Sequence, residues 1–313
     1  MDKKTQTTTE TGVFARLKNG SPATVSGGAF SLATVAPTIL LVLLALVLGA
    51  IGLLRDGYEQ TDWWLYISFL LCPVAFILTL FLYLYFRKVT IPVAVRSQKC
   101  HPKYCILAIA LQVGLFALAE VNGWFLTWLE RFGYQSQEMR LPSTDGWGIV
   151  GVLIAVALLP AVTEELIFRG ILLDGLKKNF SAVVAILLCG GIFAVYHQRP
   201  EQTIYQFCCG TAYALLAFKA GSVLPTVLAH FLNNALIVIL HANGITAIPT
   251  PVFIAVVAVA TVSLTGTLLY LIRLDKSTPK QQSPVDKKGF FLWSALGLTV
   301  IVVGWLTAFF AGF

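Results

Sequence analysis

The sequence predicts an all-α fold, a polytopic transmembrane helix bundle of about eight or nine spans. Three observations lead to this prediction: 57% of the 313 residues are hydrophobic, only 12% are charged, and the mean hydropathy is +0.80. A soluble domain typically carries about 25% charged residues. Half that charge leaves too few ionised side chains to cover a water-facing surface, so the bilayer is expected to be the main solvent.

Nine apolar segments are candidates for crossing the bilayer, because a span needs about 20 mostly apolar residues. The first one is longer than the core of a signal peptide, so it is expected to remain in the mature protein as a helix. The fifth and sixth are short for a full crossing, and are expected to be tilted or partly re-entrant. In chain order the segments are 32–54, 64–86, 104–126, 148–173, 182–197, 204–218, 222–241, 252–272 and 289–311.

Lysine and arginine residues predict the orientation, because loops on the cytoplasmic side of a membrane carry an excess of them. With the N-terminus inside, most of the 22 basic residues fall in cytoplasmic segments. The outer loops carry only Arg55, Arg131, Arg140 and Arg199, and Arg169 lies within a span. We therefore expect a multi-pass protein of a bacterial plasma membrane with a cytoplasmic N-terminus.

The N-terminal residues 1–31 are rich in Thr, Ser, Gly and Lys and are predicted to form a disordered cytoplasmic tail. The formal net charge of +7 could suggest nucleic acid. The basic residues cluster in short loops between apolar runs, however, which predicts the lipid bilayer as partner and no nucleic acid. None of the six cysteines has C-x-x-C spacing, so neither a zinc cluster nor a disulfide framework is expected.

The strongest sign of chemistry is a group of three ionisable residues inside the fourth span, namely Glu164, Glu165 and Arg169. Each such group costs roughly 2.5–3.5 kcal/mol in a span, so it usually has a partner or a function. Glu165 and Arg169 are four positions apart on one helical face and can pair. Glu164 is rotated about 100° from Glu165 and can serve as a general base. The alternative is a purely structural Glu–Arg pair.

Two further spans carry histidine. The fifth ends at His197, which shares a face with Phe193, and a lone histidine there is usually a capping or interfacial residue. The seventh contains His230 and Asn234, which project to one side, and Thr226 extends the same stripe. This pair could equally form an interhelical hydrogen bond. Together with an unpaired carboxylate, however, the set supplies a base, imidazoles that bind metal or donate protons, and an amide for an oxyanion.

Three patterns stand in a fixed order along the chain. They are Glu164-Glu165-x-x-x-Arg169, Phe193-x-x-x-His197 and His230-x-x-x-Asn234. In that order they resemble the CPBP family of CAAX proteases and bacteriocin-processing enzymes, also called Abi proteins. The family includes the eukaryotic endopeptidase that trims prenylated CAAX proteins.

The resemblance covers residues 145–245, the four-helix catalytic core of the family. The apolar segments place further transmembrane helices on both sides of this core, within 32–126 and 252–313. The flanking helices themselves are outside the resemblance.

The resemblance also implies a role for each site residue. Glu164 would activate water for attack on a peptide carbonyl, and Glu165 and Arg169 would orient it. Asn234 would stabilise the oxyanion. The predicted function is therefore that of an intramembrane endopeptidase acting on a membrane-associated protein or peptide, lipidated or not.

A metal ion is the open question, because family members have been described both as metalloproteases and as glutamate-dependent proteases. Two histidines and a glutamate are a plausible catalytic zinc set, so Zn²⁺ would be held by Glu164, His197 and His230. Histidines that only shuttle protons would look identical in the sequence. The zinc scheme is preferred, since keeping the polar side chains of two histidines and a carboxylate together in lipid costs free energy.

The depth of His197 is a difficulty. The predicted topology puts Glu164 and His230 in the cytoplasmic half of the bilayer, whereas His197 ends its span nearer the outside. A short, tilted fifth helix or a kink at Pro160 would bring them together.

Two other functions compete with proteolysis. A non-catalytic membrane scaffold or immunity protein of the same fold would keep these polar residues only as packing bonds. A transporter would use them as a proton relay, but no inverted repeat or pair of broken helices supports that interpretation.

Overall fold

The computed structural model describes residues 22–54, 56–88, 95–136, 140–245, 250–277 and 286–313. Over these residues the protein is all-α, as predicted, and nine helices follow one another along the chain. They are α1 (Pro22–Ala50), α2 (Asp62–Arg87), α3 (Lys103–Glu130), α4 (Gly148–Lys177), α5 (Ala182–Tyr196), α6 (Thr203–Ala220), α7 (Leu224–Ala242), α8 (Thr250–Leu269, continued as a π-helix over Tyr270–Leu274) and α9 (Lys287–Ala311).

Seven of the described helices, α1 to α4 and α7 to α9, are long and apolar enough to cross a membrane. The protein is therefore an integral, multi-pass membrane protein. Helix α5 has 15 residues, which is about 22 Å of helix against a hydrocarbon core of about 30 Å. Helix α6 has 18 residues, including the polar Tyr205, Gln206 and Lys219, and is not among the seven. The shortness predicted for the fifth and sixth segments is confirmed.

The first helix begins earlier than the sequence suggested. Residues 22–31, predicted as the end of a disordered tail, are part of α1, and residues 1–21 lie outside the described residues. A Cβ added at Gly27 would approach the carbonyl oxygen of Phe290 in α9 to 2.6 Å. Ser31 Oγ donates to the carbonyl oxygen of Trp293 at 2.5 Å. The small polar residues that resemble a tail are therefore a helix-packing surface.

Helices α5 and α6 approach closely through glycines. A Cβ added at Gly190 would lie 2.7 Å from the backbone nitrogen of Thr211, and one added at Gly210 would lie 3.0 Å from the Gly190 backbone. Ser181 caps the start of α5, with its Oγ accepting from the Val184 amide at 3.5 Å. This contact exposes α6 backbone to the neighbouring helix α4, which the site uses.

Helix α4 changes its winding four times. Its segments are α-helix over Gly148–Val152, π-helix over Leu153–Leu158, α-helix over Leu159–Glu165, π-helix over Leu166–Leu172 and α-helix over Leu173–Lys177. Pro160 lies inside α4, where it has no N–H to donate to the preceding turn, so one helical hydrogen bond is missing there. Both glutamates end this middle segment. π-Helical turns are rare and occur frequently at functional sites.

The helices around the glutamates bring the predicted motifs together. Helix α7 packs against α3 and α4, α2 packs against the middle of α4, and α5 packs against α6 and the second half of α4. The side chains of α4, α5 and α7 can therefore meet in the interior of the bundle.

Candidate active site

A buried ion pair forms the floor of the site. Arg169 Nη1 donates to Glu165 Oε1 at 2.8 Å, and both side chains are fully buried. Nη2 of the same arginine donates to the carbonyl oxygen of Gly210 at 3.2 Å, and Cζ lies 4.1 Å from the centre of the Phe193 ring. The pairing expected from the i, i+4 spacing is present, and Arg169 connects α4 to α5 and α6.

His230 on α7 is held by the same carboxylate. Its Nδ1 lies 2.9 Å from Glu165 Oε1. An ionised carboxylate only accepts hydrogen bonds, so Nδ1 carries the proton and donates it, and Nε2 of the neutral ring is an acceptor. That Nε2 atom lies 3.9 Å from Glu164 Oε2. Glu165 therefore fixes the tautomer of His230 and aims its Nε2 at Glu164.

His197 directly follows the last residue of α5. Its Nδ1 lies 2.8 Å from the carbonyl oxygen of Phe193, one turn earlier. A carbonyl oxygen only accepts, so Nδ1 donates and Nε2 is again the acceptor of the neutral ring. Nε2 lies 3.9 Å from Glu164 Oε2. The expected difference in depth disappears because α5 is too short to carry His197 to the far surface.

The two histidines converge on one oxygen atom. Glu164 Oε2 is buried and has no hydrogen-bond partner among the described residues. With Glu164 ionised and both rings neutral, three acceptors face one another at separations too long for direct hydrogen bonds. A small donor between them, such as a water molecule, would donate to two of these acceptors, one of them Glu164 Oε2. The side chains of His197 and Glu164 are 20% and 12% exposed, so the site opens to the surface of the bundle on this side.

The predicted zinc ligands Glu164, His197 and His230 do not have metal geometry. Ligands of tetrahedral Zn²⁺ at about 2.0–2.1 Å lie roughly 3.4 Å apart, whereas both Nε2–Oε2 separations are 3.9 Å. In the part of the chain that the structure describes, no group of three or more His, Cys, Asp or Glu side chains could hold a metal ion. These residues as placed do not fit a bound zinc ion, so the chemistry of the site is derived from the protein's own groups.

Asn234 lies one turn after His230, and its amide faces α4. Nδ2 donates to the carbonyl oxygen of Val156 at 3.4 Å, and Oδ1 accepts from Asn233 Nδ2 at 3.1 Å. Val156 belongs to the first π-helical segment of α4. The other predicted site residues form one continuous group of contacts, and Asn234 lies beside it.

Sequence reasoning missed three residues around this group. The Gly210 carbonyl oxygen, which accepts a hydrogen bond from Arg169, could not be predicted from a single sequence. Its position depends on how α5 and α6 pack. Gln112 and Asn233 do have a signal, since each is an amide inside an otherwise apolar segment. Gln112 Nε2 donates to Asn233 Oδ1 at 2.9 Å.

The fold and the site together define a polytopic helical membrane protein with glutamate and histidine side chains gathered inside its helix bundle. Residues 146–236 match the family model described as type II CAAX prenyl endopeptidase, Rce1-like. The resemblance to the CPBP family is confirmed over this segment, which contains every predicted site residue from Glu164 to Asn234. Similarity to this family implies an intramembrane protease, and thus a peptide hydrolase. No curated protein and no solved structure matches the chain.

Proposed function

We propose that this protein is an intramembrane endopeptidase in which Glu164 activates water to hydrolyse a peptide bond. The observation that supports this most directly is the convergence of three acceptors, Glu164 Oε2 and the Nε2 atoms of His197 and His230. A water molecule between them donates its hydrogens to the site, and its oxygen lone pairs face the substrate. Among the residues that the structure describes, Glu164 has no lysine or arginine partner in an ion pair, whereas Glu165 has Arg169.

The reaction consumes one water molecule. As the water oxygen bonds to the peptide carbonyl carbon, Glu164 accepts a water proton. The C–N bond then breaks, and the proton held by Glu164 passes to the departing nitrogen, directly or through Nε2 of a histidine. The products are a carboxylic acid and an amine.

The remaining residues hold these groups in place. Glu165, fixed by Arg169, keeps Nδ1 of His230 protonated, so that Nε2 stays available towards the water. Asn234 Nδ2 supplies a donor for the oxygen of the tetrahedral intermediate, a type of interaction worth about 2.7–4 kcal/mol when a single donor is removed.

The substrate is proposed to be a membrane-associated protein or peptide, because the site lies within helices that cross the membrane. The lipid bilayer is the second partner. Helices α4 to α7 would form the catalytic four-helix core over residues 145–245, with membrane helices on either side. The charge distribution of the loops supports a bacterial plasma membrane location with the N-terminus in the cytoplasm.

The test is cleavage of a membrane peptide library by purified protein and by Glu164→Gln, which keeps the size of the side chain. The exposed Glu130, changed to Gln, is the matched control. We expect wild type and the control to cleave and Glu164→Gln to be inactive. A non-catalytic scaffold predicts no cleavage by any of the three.

A further inference from the structure

A second polar group lies inside the bundle and continues to the site. Gln112 on α3, Tyr205 and Tyr213 on α6 and Asn233 on α7 are all buried. Gln112 Nε2 donates to Asn233 Oδ1 at 2.9 Å, and Tyr205 Oη donates to the same oxygen at 2.6 Å. Tyr213 Oη donates to Gln112 Oε1. Burying so many polar groups in a membrane protein is costly unless they bond to one another, and here they do.

The hydrogen bonds of this group all run in one direction. Tyr213 donates to Gln112, Gln112 to Asn233, and Asn233 to Asn234, whose Nδ2 donates to the Val156 carbonyl oxygen. The final acceptor sets the direction, because a carbonyl oxygen cannot donate. If one amide were turned over, oxygen would face oxygen or nitrogen would face nitrogen at its neighbour. The orientation of the Asn234 amide is therefore coupled to Gln112, on a different helix.

This coupling bears on the chemistry of the site. With Oδ1 occupied by Asn233, the Asn234 amide must present Nδ2, and not its oxygen, towards α4. Nδ2 carries two hydrogens, and the bond to Val156 uses one of them. The second hydrogen is the donor that an oxyanion needs, whereas an amide turned over would present an oxygen and repel it.

We infer that Gln112 and Asn233 are positioning residues, which hold the Asn234 side chain with its N–H group towards the reacting carbonyl. This inference rests on the proposed function and extends it. Gln112 lies outside the segment 146–236 that matches the family model, so a preceding transmembrane helix contributes to the site. The competing interpretation is that the group only fastens α3 to α7.

Activity separates the two interpretations. Gln112→Met keeps the length of the side chain and removes its donor and acceptor. We expect kcat to fall roughly tenfold to a hundredfold, as misplaced groups cause in other enzymes, with KM little changed. Gln112→Glu, protonated in this buried place, can donate and accept as glutamine does and should restore most of kcat. The matched control is Ser263→Ala, which removes a different hydrogen bond to α3, from Ser263 Oγ to the Ala110 carbonyl oxygen.

The double variant tests whether Gln112 acts through Asn234. If it does, Gln112→Met combined with Asn234→Ala loses no more activity than Asn234→Ala alone, because the group being positioned is already gone. Losses that multiply, or a Gln112→Met enzyme with wild-type kcat, would overturn the inference.

A second measurement does not need activity. In protein labelled with ¹⁵N-asparagine, the side-chain amide signal of Asn234 is assigned by its absence in Asn234→Ala. We expect this signal to move in Gln112→Met and to stay in place in Ser263→Ala. An unmoved signal in Gln112→Met contradicts the positioning role even if the wild type cleaves no substrate. Movement of the signal in an inactive wild type would instead leave the coupling intact and reject the proposed function.

Discussion

Two neighbouring glutamates have opposite surroundings, although they differ by only one position in the chain. Glu165 is fully buried and accepts hydrogen bonds from Arg169 and His230. Glu164 is partly exposed, and its Oε2 has no hydrogen-bond partner among the described residues. A rotation of about 100° along the helix is enough to give two adjacent carboxylates different partners.

Glu165→Ala is expected to destabilise the protein by about 3–5 kcal/mol, because it leaves the Arg169 charge buried without its partner. Glu164→Gln should abolish cleavage and change stability little. Thermal unfolding of both variants in the same detergent measures the difference. Equal destabilisation by the two changes would favour a purely structural glutamate pair.

Metal removal is the second test at this scale. Because the spacing of Glu164, His197 and His230 does not fit zinc, we expect activity to survive prolonged treatment with a chelator. Added zinc should give no increase, and metal analysis of active protein should find far less than one zinc per chain. Loss of activity on chelation with recovery on adding zinc would show that the ligands move together when the metal binds.

The pH dependence has a definite sign. Glu164 can accept a proton from water only while it is ionised, so cleavage should fall as the pH is lowered and Glu164 takes up a proton. A rate profile measured with the chain shown to be folded at each pH tests this. A rate that rises on acidification would contradict the assignment of Glu164 as the base.

At the scale of helices, the α5–α6 contact places both His197 and the Gly210 carbonyl. Gly190→Ala puts a Cβ against the backbone of Thr211, and overpacking of this kind typically costs about 1–3 kcal/mol. Activity should fall with stability, because Arg169 loses its partner on α6. The control is Gly191→Ala on the same helix, where the nearest atom lies 4.0 Å away. A Gly190→Ala protein as stable as the Gly191→Ala protein would show that the helices are not held this closely.

Local spacing is what a single sequence reveals best. The Glu165–Arg169 pair, the shortness of the fifth segment and the gathering of polar residues on three helices follow from periodicity and composition. The hydrogen bond between Gln112 and Asn233 joins residues 121 positions apart. No local sequence pattern predicts a contact between residues so far apart in the chain. The same limit explains why helix was not predicted over residues 22–31, since these residues pack against α9, which is distant in the chain. The zinc set stays a prediction for a related reason, because residue types do not give separations.

At the scale of the whole molecule, the orientation in the membrane stays a prediction. In a background without native cysteines, Lys99→Cys and Lys276→Cys report on the segments 87–103 and 273–288, and Trp147→Cys reports on the opposite side. A membrane-impermeant maleimide added to intact cells should label only the Trp147→Cys protein. Labelling of both lysine positions from outside would reverse the topology.

The centre of the site offers lone pairs and no donors, and this affects how the reaction ends. A new carboxylate carries the same charge as Glu164 and offers the same kind of lone pairs as the two imidazole Nε2 atoms. The centre that attracts water therefore disfavours the acid formed from it. In a bundle where little solvent disperses charge, this repulsion would drive the acyl product of the proposed hydrolysis out of the site. Turnover would then be protected from inhibition by its own product.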